Sequence, residues 1–143
     1  MKLRYFVKGT PPNWDGMPTD SKHVVREGAE ISESSLVEAV ARAASQFGAD
    51  ITLYRGDEFD YSEKFWVRGA AGRFIMGISD DYDEILGEFD DAGRIGEPKI
   101  AIRGDLWDAS GVATDPSIVI EAMTDFLEGR PLADRPYWYT YPK

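Results

Sequence analysis

The sequence predicts an α+β fold, with an antiparallel meander of five to seven strands and two helices packed on it, in a single domain over residues 1–143. Three observations carry this prediction. Short runs with apolar residues at every second position recur between residues 51 and 103, separated by turn residues. Two stretches, one on either side of those runs, carry helical apolar periodicity with start and stop signals. The composition, 43% hydrophobic and 13% aromatic, suffices for a real core; a chain of this length buries roughly 70% of its unfolded surface.

Residues 3–8 read as a first strand. The Gly- and Pro-rich stretch 9–16 breaks it, and Trp14 within that stretch reads as a lid over the core edge. Val24 and Val25 make a short second strand flanked by His23, the single histidine, which reads as an edge residue. Residues 35–47 predict the first helix, with a capping box from Ser35 to Glu38. Its expected apolar stripe is Leu36, Val37, Val40, Ala41, Ala44 and Phe47, and Gly48 takes the C-cap position.

Strands follow at residues 50–55, 64–68 and 73–79, the last two joined by a tight hairpin at Gly69-Ala70-Ala71-Gly72. Residues 82–89 favour a further strand, and residues 99–103 another. The second helix spans 115–128. Asp115 is its N-cap, Pro116 its first helical residue and Gly129 its stop, with Ile118, Val119, Ala122, Met123, Phe126 and Leu127 facing inward. Tyr137-Trp138-Tyr139-Thr140-Tyr141 closes the chain as an aromatic strand paired in the sheet.

The net charge is −10 and the isoelectric point near 4.5. Between Asp57 and Asp91 eleven acids stand against three bases, so this stretch alone carries −8. Nucleic acid and anionic membranes are thereby disfavoured as partners, because both demand Lys/Arg patches. No apolar run approaches the ~20 residues of a membrane span, and the first residues lack the apolar core of a secretory signal. The absence of cysteine removes disulfides, thiolate catalysis and cysteine-based zinc sites. The expectation is a cytoplasmic protein without cofactor or metal.

Neither a phosphate-binding glycine loop nor a nucleophile elbow is present, and no catalytic residue can be named. Arg-Gly-Asp occurs twice, at 55–57 and 103–105, and reads each time as a strand followed by a glycine turn. Asp80-Asp81-Tyr82-Asp83-Glu84 lacks the ligand spacing of a calcium loop. What distinguishes the acidic turns is interleaved aromatics, which supply rigid contact area while charges supply steering. The candidate partner-binding residues are Asp57, Glu58, Phe59, Asp60 and Tyr61 in one turn, Asp80, Asp81, Tyr82, Asp83 and Glu84 in a second, and Asp90 and Asp91 as a third rim.

The segment Asp125-Phe126-Leu127-Glu128-Gly129-Arg130-Pro131, followed by a strand bearing Trp138, resembles a family of small cytoplasmic immunity proteins from bacterial polymorphic toxin systems. The resemblance covers roughly residues 60–141. It implies a non-enzymatic protein that binds and blocks a cognate toxin, often a nuclease or nucleic-acid deaminase with a basic groove. Phe126, Gly129, Pro131 and Trp138 would then be fold residues. A non-inhibitory protein-binding adaptor and an enzyme using carboxylates alone are the rival readings, and the oligomeric state is left open.

Overall fold

The computed structural model describes residues 3–9, 23–27, 33–57 and 60–142; for 3–9, 23–27, 55–57, 60 and 61 the description is of the main chain. Trp14 lies outside the described residues. The strands are β1 (Leu3–Gly9), β2 (His23–Glu27), β3 (Ala49–Asp57), β4 (Asp60–Ala70), β5 (Arg73–Asp80), β6 (Ile85–Phe89), β7 (Ile100–Ile102), β8 (Asp105–Trp107) and β9 (Trp138–Thr140). The helices are α1 (Glu33–Ala43) and α2 (Pro116–Glu128).

Seven strands form one antiparallel sheet in the order β2-β1-β3-β4-β5-β6-β9. From β3 to β6 it is the expected meander. The register sets Ile51 opposite Val67, Leu53 opposite Phe65, Phe65 opposite Ile78 and Val67 opposite Met76. Side chains alternate across a strand, so these residues share one face. Both helices pack on that face. Leu36, Ala39, Val40 and Ala43 of α1 join Val119, Ala122, Met123 and Phe126 of α2 and the sheet residues in one core.

The α2 expectation holds in detail. The Asp115 carboxylate accepts from the Ser117 N–H at 2.9 Å, and Gly129 takes the left-handed conformation at φ 73°. Helix α1 differs. It begins two residues before Ser35, so Ser35 lies in the first turn instead of capping it. It also ends at Ala43, so Phe47 lies beyond it and is about half exposed, while Val37 and Ala41 within it lie on the exposed side. The buried stripe is Leu36, Ala39, Val40 and Ala43, the i, i+3, i+4, i+7 set.

The cause of the early stop is tertiary. The tip of the β4–β5 hairpin docks on the helix end, with Ala71 N–H donating to the Ser45 carbonyl (2.7 Å) and Gly72 N–H to that of Ala44 (2.9 Å). The approach is so close that a Cβ on Gly48 would sit 1.9 Å from the Gly69 carbonyl oxygen. Glycine is required at position 48 for that reason and for its φ of 76°.

Residues 92–113 depart from the expected meander. The predicted strand at 99–103 does not join the main sheet; β7 pairs with β8 in a separate hairpin. This hairpin folds over the second face of the sheet and closes a smaller core of Ala70, Ile75, Ile102 and Val112, with Trp66, Ile100 and Trp107 around it. Main-chain bonds between Phe74 and Ala113 (2.9 and 2.8 Å) and an Arg103–Asp50 ion pair hold it down. The second Arg-Gly-Asp is the expected turn, Arg103 and Gly104 both having positive φ. The first is not, since residues 55–57 continue β3 across a bulge at Arg55/Gly56.

Candidate functional site

The expected acidic turns fall into two groups. β4 pairs with both β3 and β5, which sets Asp57 opposite Asp60 and Glu63 opposite Asp80. The β3–β4 and β5–β6 connections therefore lie at the same end of the sheet and make one rim. Asp57, Asp60 and Tyr61 enter it by their main chain, and Glu58 and Phe59 lie outside the described residues. Asp90 and Asp91 do not belong to this rim. One further strand, β6, carries the chain to the opposite end before they are reached.

Within the β5–β6 turn the acids divide by role. The Asp80 carboxylate accepts from the N–H groups of Tyr82 and Glu84, both at 2.9 Å, and so builds the turn. Asp83 sits at φ 61° and pairs with Lys64 of β4. Asp81 and Glu84 are exposed and make no side-chain hydrogen bond or ion pair among the described residues. Tyr82 between them is 86% exposed. An aromatic ring left in water, flanked by two free carboxylates, is what the fold itself does not use.

Asp91 is likewise structural. Its carboxylate accepts from Gly93 N–H (3.1 Å) and caps the 3-10 turn Ala92–Arg94. Asp90 donates its main-chain N–H to the Tyr137 carbonyl (2.8 Å) and is among the residues lining a hollow beside Trp66 and Trp107.

Asp125, which the sequence reading did not single out, and two tryptophans fix the sheet and its C-terminal segment. Asp125 of α2 is 1% exposed and receives Arg130 Nε at 2.9 Å and Arg135 Nε at 2.7 Å. Its carboxyl is held below the usual range, first by the Arg135 hydrogen bond, which outweighs the cost of burial. This clamp ties the 130–136 segment to the helix and thereby sets the start of β9. Trp138 of β9 stacks on Phe65 with ring centroids 6.2 Å apart and lies over Gly87.

Trp66 does the equivalent on the second face. Its indole N–H donates to Ser79 Oγ (3.0 Å), and its ring lies over Gly77, where a Cβ would come within 2.6 Å of a ring carbon. The available signal was the pair of glycines inside strands, which marks close approach of another group. Gly77→Ala is expected to displace Trp66, costing about 1–3 kcal/mol and shifting its fluorescence; a denaturant melt checks both.

Among the described residues there is no group of three or more His, Cys, Asp or Glu arranged to hold a metal. None of the described helices is long and apolar enough to cross a membrane.

Fold and site together define an α+β protein with an acidic, aromatic rim at one end of its sheet. No family model matches the chain, and no curated protein matches it. The fold is similar to a crystal structure of a hypothetical protein from Neisseria gonorrhoeae, with a TM-score of 0.57 and 10% identity over 91% of each chain. At that identity the likeness speaks for the fold alone.

Proposed function

We propose that this chain is an immunity protein that binds and neutralises a cognate bacterial toxin, a nuclease or nucleic-acid deaminase with a basic groove, in the cytoplasm of the producing cell. The observation that carries the reading is the free part of the rim: Asp81 and Glu84 without fold partners, on either side of Tyr82 at 86% exposure. Toxins that act on nucleic acid present basic grooves, and a rim of this kind can occupy one by standing in for phosphate charge. Complementary fields also speed encounter. The contacts narrow to Asp57, Glu58, Phe59, Asp60, Tyr61, Asp81, Tyr82 and Glu84, with Asp80 and Asp83 shaping the turn.

Co-expression with the reading frame immediately upstream tests the proposal. Rescue of growth together with co-purification is the expected result. Co-purification without rescue would favour the adaptor reading, and neither would sink both.

A further inference from the structure

We infer that the part of the second sheet face formed by Ile85, Tyr139 and Tyr141 is the apolar centre of the surface that binds the basic partner, an inference that rests on the function proposed above. Register places the three side chains together. Ile85 stands opposite Ser79, which accepts the Trp66 indole N–H on the second face. Trp138 is turned to the main core, where it stacks on Phe65. The alternation of β9 therefore turns Tyr139 to the second face, opposite Glu88. Tyr141 follows two residues on. Its main-chain N–H donates to the Leu86 carbonyl (2.9 Å), and its ring meets that of Tyr139 edge-on with centroids 4.9 Å apart.

The fold leaves this patch open. The β7–β8 hairpin covers Ala70, Ile75 and Trp66 of the same face, but Ile85, Tyr139 and Tyr141 are exposed. Adjoining apolar side chains in water mark an interaction surface, and tyrosine is among the residues enriched at the centre of protein interfaces.

The charge around the patch selects the partner. Residues 84–91 and 137–142 include Glu84, Glu88, Asp90 and Asp91 and no base. Glu88 accepts from the Tyr141 hydroxyl at 2.5 Å, a neutral donor. That bond first, then burial and the charges of Glu88 and Asp90, push the hydroxyl up to about 12. Lys64, the base nearest in register, is paired with Asp83. An apolar centre in a negative field fits a partner face that is itself apolar and ringed by lysine or arginine. A second copy does not fit, because each chain carries −10 and like charges would meet.

The patch is continuous with the rim, since Glu84 is the residue before Ile85. A standard interface of ~800 Å² on each partner includes both. Docking is through the face of the sheet. Strand addition at its edge is disfavoured, because β9 is three residues long and stands between Pro136 and Pro142.

Rim and patch then act on different rates. Exposed acids steer encounter, whereas buried aromatic anchors hold the complex together. The test measures association and dissociation of this chain with the product of the reading frame immediately upstream. Tyr139→Ala is expected to speed dissociation about 10- to 30-fold and to leave the association rate and its salt dependence unchanged. Leu106→Ala, at an exposed position on β8, should change neither rate. Hydroxyl-radical footprinting of the unmodified chain covers the case in which Tyr139→Ala loosens β9. In the complex Tyr139 and Tyr141 should be oxidised several-fold more slowly than in the free chain, and Phe47, at the opposite end of the sheet, at its free-chain rate. Tyrosines that stay at the free-chain rate in a formed complex overturn the inference, whatever the variant does, and leave the immunity reading standing. Protection that grows with concentration of this chain alone would put a second copy on the face and overturn it as well. No binding of the upstream product overturns it together with the reading it rests on.

Discussion

Reversing acids of the two turns, with Asp81→Lys and Glu84→Lys in one and Asp57→Lys and Asp60→Lys in the other, is expected to slow association with the basic partner proposed above by about 10- to 1,000-fold. The expected loss lies mainly in the association rate at low ionic strength, because exposed charges act by steering and not by desolvated contact. Stability should be almost untouched for the first pair. Asp81 and Glu84 contribute no side-chain bond to the described fold, and such surface substitutions stay within about ±0.5 kcal/mol. Asp80→Ala provides the contrast. It deprives two N–H groups of the β5–β6 turn of their acceptor, so it should reshape the turn and expose the protein to earlier melting. Stopped-flow mixing at two ionic strengths, with a thermal melt of each variant, separates the outcomes. An unchanged association rate in the quadruple variant would contradict the steering role.

Asp125→Asn carries the largest expected effect on stability. The carboxylate is 1% exposed and is met by two arginines. Removing one member of a buried pair costs about 3–5 kcal/mol, reduced here to about 2–3 because Arg130 and Arg135 retain access to water. The corresponding fall in Tm is roughly 5–10 °C.

The pH dependence has a definite sign. The native carboxyl is held below its ordinary value, chiefly by Arg135, so its contribution is fully present above the unfolded value of about 3.9. It is lost as pH falls through the depressed native value. The Tm gap between the parent chain and Asp125→Asn should be full at neutral pH and close in acid. A gap that stays constant down to low pH would mean that the carboxylate's charge is not what holds the C-terminal segment.

Where local chemistry decided the structure, the sequence was readable. Asp115-Pro116 and Gly129 bound α2 because capping, proline at N1 and a left-handed glycine are all local effects. The alternation in residues 49–80 placed the meander because a period of two leaves few other choices. Helix α1 was misjudged at its end, where the β4–β5 hairpin tip takes the last carbonyls. Nothing in residues 43–47 announces that contact. The β7–β8 hairpin escaped notice because β8 is only three residues long, Asp105–Trp107, and pairs outside the main sheet.

The candidate site was legible in half. In a meander, connections two strands apart lie at the same end and connections one strand apart at opposite ends. Strand counting therefore unites 57–61 with 80–84 and sends 90–91 away, as the register does. What strand counting could not supply is the division of labour within the turn. That Asp80 and Asp83 serve the fold while Asp81, Tyr82 and Glu84 remain free depends on the positive φ at Asp83 and on Lys64 reaching across from β4. The Asp125 clamp was hidden for a related reason. An acid within an apolar stripe looks like a helix-surface residue until Arg130 and Arg135 fold back onto it.

Binding of a basic toxin domain by the acidic rim, as proposed above, is put to the test by calorimetric titration of this chain against the product of the reading frame immediately upstream. The titration is run at about 0.01 M and about 0.15 M salt, where the Debye length shrinks from about 30 Å to about 8 Å. Saturable binding is expected in both, at least about tenfold weaker at the higher salt. Absence of binding, or an affinity that does not move with salt, would contradict it.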